Sequence, residues 1–269
     1  MTQTLTLAAA EWGGEFDGVL DDINALFDFP YLFSFEMFGE EWGINRTILI
    51  AWLMTLIVGV IFVMGTRNMQ VVPGKFQSAI EMVVEFNRQI AMEIIGPKGL
   101  KFVPMLTTFF VAIFALNLAK ITPFLMLPPT GRSAWPLFFA GIAWLIYVGV
   151  GIKEQGFIGY FKGVAFPSGV PWPLYIILTP IEIVSTLILR PFTLAVRLFA
   201  NMAAGHILVV ITLVTAWIFL PSALGWPIGV FAVVAGPLVF GFELFIIALQ
   251  AYIFTMLTAV YIDSSMEAH

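Results

Sequence analysis

The sequence predicts an all-α polytopic membrane protein: one upright helix, an amphipathic surface helix, a transmembrane hairpin and two long tilted C-terminal helices. Three observations carry that expectation. Of the 269 residues 60% are hydrophobic and only 11% charged, whereas soluble domains are about a quarter charged. The charges are also segregated. Arg46 and Arg67, Lys101 and Lys120, Arg132 and Lys153, Arg197 and Glu243, and Glu243 and Asp263 each enclose a stretch without Asp, Glu, Lys or Arg. Each gap is about 20 residues, the length of a bilayer-spanning helix, or a multiple of it. Finally, the two apolar runs nearest the C-terminus are much longer than a bilayer is thick.

In chain order, residues 1–45 read as an acidic external segment. They hold nine of the seventeen acids, from Glu11 to Glu41, and no lysine or arginine. A signal or transit peptide begins basic, so neither is expected here. Phe27, Phe29, Tyr31, Phe33 and Phe35 suit a segment resting at the membrane interface, and a loose acidic tail would read the same way. Residues 46–269 then form a single membrane domain, with 47–66 as the first span. The following stretch carries Arg67, Lys75, Arg88, Lys98 and Lys101. The bias of basic residues puts it in the cytoplasm and the N-terminus outside. Within it, residues 73–95 repeat apolar side chains at helical spacing (Phe76, Ile80, Val83, Val84, Ile90, Ile94), with Lys75, Gln77, Glu81, Glu85 and Arg88 interposed. That pattern is too charged to span and predicts a helix on the inner surface, although a helix packed on a soluble partner would look similar.

Residues 102–127 and 133–152 are the second and third spans, joined by the turn PPTGR at 128–132. Asn117, Lys120 and Pro123 interrupt the second. Asn117 is expected to bond a neighbouring helix and Lys120 to extend to the interface; burial of both as functional groups is the alternative. A loop with Lys153, Glu154 and Lys162 fits the cytoplasmic side, and FPSGVPWP at 166–173 reads as a hinge. Residues 174–220 would extend about 70 Å as one helix, and residues 229–262 about 51 Å, against a hydrocarbon thickness of about 30 Å. Steep tilt as a long hairpin accommodates both lengths and offers a long edge to a partner; breakage at Pro180 and Pro191 is the alternative.

The polar residues concentrate on those two helices. At about 100° per residue, Arg190 and Arg197 lie roughly 20° apart, with Thr193 and Asn201 about 40° to either side of Arg197. His206 falls about 180° away. On the last helix Glu243 and Gln250 share a face, which Phe254 continues. An arginine stays charged and costs from about 3 to over 10 kcal/mol in hydrocarbon, so Arg197 needs compensation. Either it pairs with an acid of this chain, with Glu243 the candidate, or its counter-ion sits on something that moves. The inventory holds titratable groups without a nucleophile, a phosphate-binding glycine loop or a metal cluster. It suits proton relay better than bond-making catalysis. The chain contains no cysteine, which leaves no thiolate metal site. Nothing points to nucleic acid.

RPFTLAVRLFANMAAGH at 190–206, followed by FELFIIALQAYIFTMLTAVYI at 242–262, closely resembles the a subunit of F-type ATP synthases; FALNLAKITP at 114–123 agrees by topology. The resemblance implies a non-catalytic stator subunit whose two aqueous half-channels carry protons to and from carboxylates of a rotating c-ring, coupling the proton gradient to ATP synthesis. It implies as partners the c-ring, the b subunits of the peripheral stalk and membrane lipids, with no cofactor and no metal. Protons are the expected ion, with sodium left open because the selecting carboxylate belongs to another chain. By resemblance Arg197 matches the essential arginine facing the ring carboxylate, Asn201 and Gln250 its polar neighbours, and His206 with Glu243 the pair lining the outer half-channel. Glu182 resembles a glutamate toward the inner channel but is one residue out of register, which requires a helix irregularity near Pro191. A multi-pass protein of a bacterial plasma membrane, N-terminus outside and C-terminus cytoplasmic, is the expected setting. The rival readings are a secondary transporter or ion channel, which would show related halves, and a lipid-directed membrane enzyme, which would want a nucleophile or metal set.

Overall fold

The structure, a computed structural model, describes residues 31–37, 40–122, 129–131, 134–166, 174–222 and 224–266. The acidic run before residue 31, most of the PPTGR turn's flanks and the hinge at 167–173 lie outside the described residues. Contacts divide the chain into two units, residues 1–52 and 53–269.

The first unit holds an antiparallel ribbon of β1 (Tyr31–Met37) and β2 (Glu40–Asn45), with Phe33 opposite Ile44, Phe35 opposite Trp42 and Glu36 opposite Glu41. The sequence reading placed an interfacial segment or a loose tail here. Its aromatics at 31, 33 and 35 alternate with Leu32, Ser34 and Glu36, and that period of two is the mark of a strand. The all-α description therefore belongs to the membrane body and not to this ribbon. Asn45 ends β2 and starts α1 (Arg46–Thr66): its side-chain oxygen accepts the main-chain N–H of Ile48 at 3.0 Å, which satisfies one of the donors a helix start leaves free.

The second unit is helical. Amphipathic α2 (Lys75–Ile94) buries Ile80, Asn87, Ile90 and Ala91 and leaves its charged side exposed. Gly96, at φ +77°, closes it in the left-handed conformation that favours glycine, and a 3-10 turn (Gly96–Phe102) leads into α3 (Val103–Leu118). The second span was expected to run to residue 127, yet the helix stops at Leu118. Lys120 N–H bonds the carbonyl of Asn117 at 3.1 Å and Ile121 N–H that of Leu118 at 3.2 Å, tight turns just ahead of Pro123. Proline lacks the N–H and disfavours helix in the residue before it.

After a 3-10 turn (Pro129–Gly131) come α4 (Ala134–Gln155) and, across Gly156 at φ +76°, α5 (Phe157–Ala165), a short helix where a loop was expected. The C-terminal half is one long hairpin. Its first arm is α6 (Tyr175–Val184), a π turn (Ser185–Leu189) and α7 (Arg190–Phe219); its second is α8 (Trp226–Met266). The arms have 45 and 41 residues, about 68 and 62 Å of helix. Neither is broken into separate pieces by Pro180, Pro191 or Pro237.

The core lies where α2, α3, α4 and α8 converge, on Ile90, Ala91, Leu106, Tyr147, Ala259 and Ile262. Phe109 of α3 meets Phe254 of α8 edge-on, centroids 5.5 Å apart. Much of the long hairpin's apolar surface is uncovered: Trp217 is 84% exposed, Phe231 73% and Phe245 60%. Apolar surface on that scale is made for lipid or for another chain. Among the described residues five helices are long and apolar enough to cross a membrane. The chain is an all-α, multi-pass membrane protein in its body.

Candidate functional site

The site is built where the end of α3 meets α7 and α8, because the polar side chains Asn117, Lys120, Asn201, Glu243 and Gln250 come together there among apolar ones. Glu243 of α8 is 1% exposed. Its partner is Lys120, 4% exposed, whose ammonium donates to the Glu243 carboxylate in an ion pair buried at both ends. The early stop of α3 turns Lys120 inward instead of outward along a continued helix. The expectation that Lys120 extends to the interface is therefore corrected: a lone buried carboxylate would cost several kcal/mol, and a cation in reach is drawn to it.

The pair rests on α7 at Gly205. A Cβ there would collide with the Lys120 ammonium and with both Glu243 oxygens, so glycine lets the pair lie against the α7 backbone and any larger residue would displace it. His206, next in sequence, is half-buried and within electrostatic range of Lys120 and Glu243. About one turn nearer the chain start, the Asn201 amide donates to Gln250 Oε1 of α8 at 2.5 Å. Gln250 is buried, and its own amide nitrogen has no partner among the described residues. Asn117 of α3 accepts a hydrogen bond from Thr130. Asn117, Lys120, Asn201, Glu243 and Gln250 together line a cavity of about 10 Å³, roughly the room one water needs.

Arg197 stands apart. It is exposed on α7, and among the described residues it makes no hydrogen bond and no ion pair. Glu243, the candidate counter-ion within the chain, is taken by Lys120. Glu182 lies 3.9 Å from Arg190, and Arg190 in turn stacks over the Tyr261 ring at 5.4 Å and reaches Ser264 at 3.4 Å. Arg197 thus presents a charge with no counter-ion among the described residues, on an exposed face of the long hairpin.

The matching family model is that of the ATP synthase A chain, over residues 48–263. The chain belongs to that family. A protein of Rhodococcus erythropolis named ATP synthase subunit a is 43% identical over 229 residues, covering 84% of this chain and 83% of its own. Proteins of the same name from Frankia alni and Streptomyces lividans are 37% and 36% identical over 252 residues each, covering 87% and 89% of their own lengths.

The residues singled out from the sequence are distributed as follows. Asn201 and Gln250 are bonded to each other, Glu243 and His206 share the neighbourhood of Gly205, and Arg197 and Glu182 are in neither group. Glu182 and Arg190 are eight residues apart, which on a regular α-helix sets them about 80° apart. The π turn at Ser185–Leu189 absorbs one extra residue and brings them to within about 20°. Sequence reasoning missed Lys120 as Glu243's partner and Gly205 as the platform beneath the pair. Asking which cation could reach a buried Glu243 would have found the first. Among the described residues no three His, Cys, Asp or Glu side chains converge as a metal site.

Proposed function

We propose that this chain is the stator a subunit of an F-type ATP synthase, a non-catalytic subunit that conducts protons to and from successive carboxylates of a c-ring. The single observation that carries this reading is Arg197: exposed on the long hairpin, without a counter-ion among the described residues, while Glu243 and Glu182 each have a cation beside them. A permanent charge at that depth calls for an anion from another chain.

Protons enter from outside by way of His206 and Glu243 and reach a ring carboxylate, which becomes neutral and rotates through lipid. Facing Arg197, that carboxylate releases its proton, since an adjacent cation favours the ionised form. The proton leaves past Glu182 toward the cytoplasm. Asn201 and Gln250 keep a polar, hydrated seam between the two long helices. Arg197 also repels a proton that would cross directly between the half-channels, so one charge both gates and attracts. The b subunits of the peripheral stalk hold the chain against the ring's torque. The setting is a bacterial plasma membrane with the N-terminus outside, supported by the acid-rich start, the basic residues between 67 and 101 and the bacterial relatives.

Replacing Arg197 with alanine in the assembled enzyme abolishes ATP-driven acidification of inverted membrane vesicles. Normal pumping by that variant would overturn the reading.

A further inference from the structure

Lys120 has no part in the proton path just given, and yet it is the cation nearest the outer half-channel's carboxylate. We infer that Lys120 is a positioning residue for proton uptake: its ammonium holds the Glu243 carboxylate against Gly205, beside His206. The inference rests on the reading of Glu243 as part of that half-channel.

Three independent features of the fold converge on it. The first is that α3 ends two residues before Lys120 in tight turns, which point the side chain into the bundle instead of along it. The second is the seat. Without a Cβ at Gly205 the ammonium and both carboxylate oxygens lie directly on the α7 backbone, so the pair is held in register with His206, one residue on. The third is the water-sized cavity. Lys120 and Glu243 line it together with Asn117, Asn201 and Gln250, joining the ion pair to the amide bridge that neighbours Arg197 on α7.

The chemistry explains why a lysine serves. An ammonium has three N–H donors, and Glu243 takes one, leaving others for water in the cavity. A buried ion pair is a poor source of stability, since apolar residues of equal volume do as well or better. Its worth lies in giving one carboxylate one orientation, on a site where proton transfer requires hydrogen-bond distances.

The test uses inverted vesicles carrying the complete enzyme, with the assembled subunit quantified by immunoblot and pumping read as the initial rate of ATP-driven acidification. Lys120→Met is expected to slow acidification by about tenfold at equal assembly, the scale of a broken contact pair. Lys120→Arg, which keeps a cation, restores the rate to within about twofold. Because Lys120 acts through Glu243, the double variant Lys120→Met/Glu243→Gln pumps no more slowly than Glu243→Gln alone. An unchanged rate in Lys120→Met, or a double variant clearly slower than Glu243→Gln, overturns the inference. If Lys120→Met does not assemble, the double variant decides, since it leaves no unpaired charge: assembly with the Glu243→Gln rate supports positioning, and failure to assemble shows a packing role instead. Arg197→Ala separates the two levels. Pumping in that variant defeats the functional reading itself, whereas a dead Arg197→Ala beside a normal Lys120→Met defeats only the role of Lys120.

Discussion

The Tyr147 hydroxyl donates to the main-chain carbonyl of Thr186 at 2.8 Å, and Pro191 is the reason that carbonyl needs it. In the π turn the N–H of Arg190 bonds Ser185, which takes away the α-helical donor for Thr186. The donor five residues on would be Pro191, which has no N–H. Thr186 is therefore left with a buried acceptor, and α4 supplies the missing proton from Tyr147, itself 1% exposed. Removing the hydroxyl with Tyr147→Phe is expected to cost about 1–3 kcal/mol, the penalty of an unsatisfied buried acceptor. The measurement is the thermal midpoint of the detergent-solubilised complex. A midpoint equal to the parent's would mean that the carbonyl finds water instead.

Pro191→Ala returns an N–H to the helix and lets the π turn relax toward α-helical bonding. Glu182 then rotates about 100° relative to Arg190 and Arg197, out of the alignment the extra residue creates. Proton release on the cytoplasmic side should slow while assembly is kept. Acidification rates set against immunoblotted subunit check this, and a rate that stays at the parental value removes the π turn from the mechanism.

Gly205→Ala places a methyl group where the Lys120–Glu243 pair sits. The colliding atoms are side-chain ends, so the pair moves and the helices stay, and the expected result is a slower pump in a normally assembled enzyme. Gly229 is the contrast: it abuts the main chain of Phe219 and Leu220 across the hairpin turn, where nothing yields easily. Gly229→Ala should lower the amount of subunit in the membrane. Equal effects of the two substitutions on assembly would contradict this distinction.

Gln250→Leu strips Asn201 of its partner and dries the small cavity. Asn201 is itself exposed on α7, so the loss falls on the polar seam between the two helices and not on folding, and the pumping rate should drop while assembly is kept. Asn201→Leu in the same background adds little, because the bond is already gone. Additive losses in vesicle acidification would show that the two amides act separately.

Composition and spacing determined the class of this protein, because hydrocarbon admits only helices of a certain length and tolerates charge only with a reason. The separation of the charges by apolar runs, the excess length of the last two helices, and the common stripe of Arg190, Arg197 and Asn201 all follow from 1.5 Å and 100° per residue. Family membership was legible for the same cause: the motif from Arg190 to His206 is contiguous, so it survives in one dimension. The strands at 31–37 and 40–45 were also written in period-two aromatics, but the same residues suit an interfacial segment or a loose acidic tail equally well.

Only the tertiary structure decided which charge answers which. Lys120 and Glu243 are 123 residues apart, and no helical period relates positions on different helices; packing of α3 against α8 does. The same holds for Tyr147 and Thr186. The exact end of α3 and the π turn depend on which buried main-chain groups find donors from elsewhere, and a linear pattern does not contain that information. The result is that Glu243 and Glu182 each find a cation within the chain, while Arg197 has no counter-ion among the described residues.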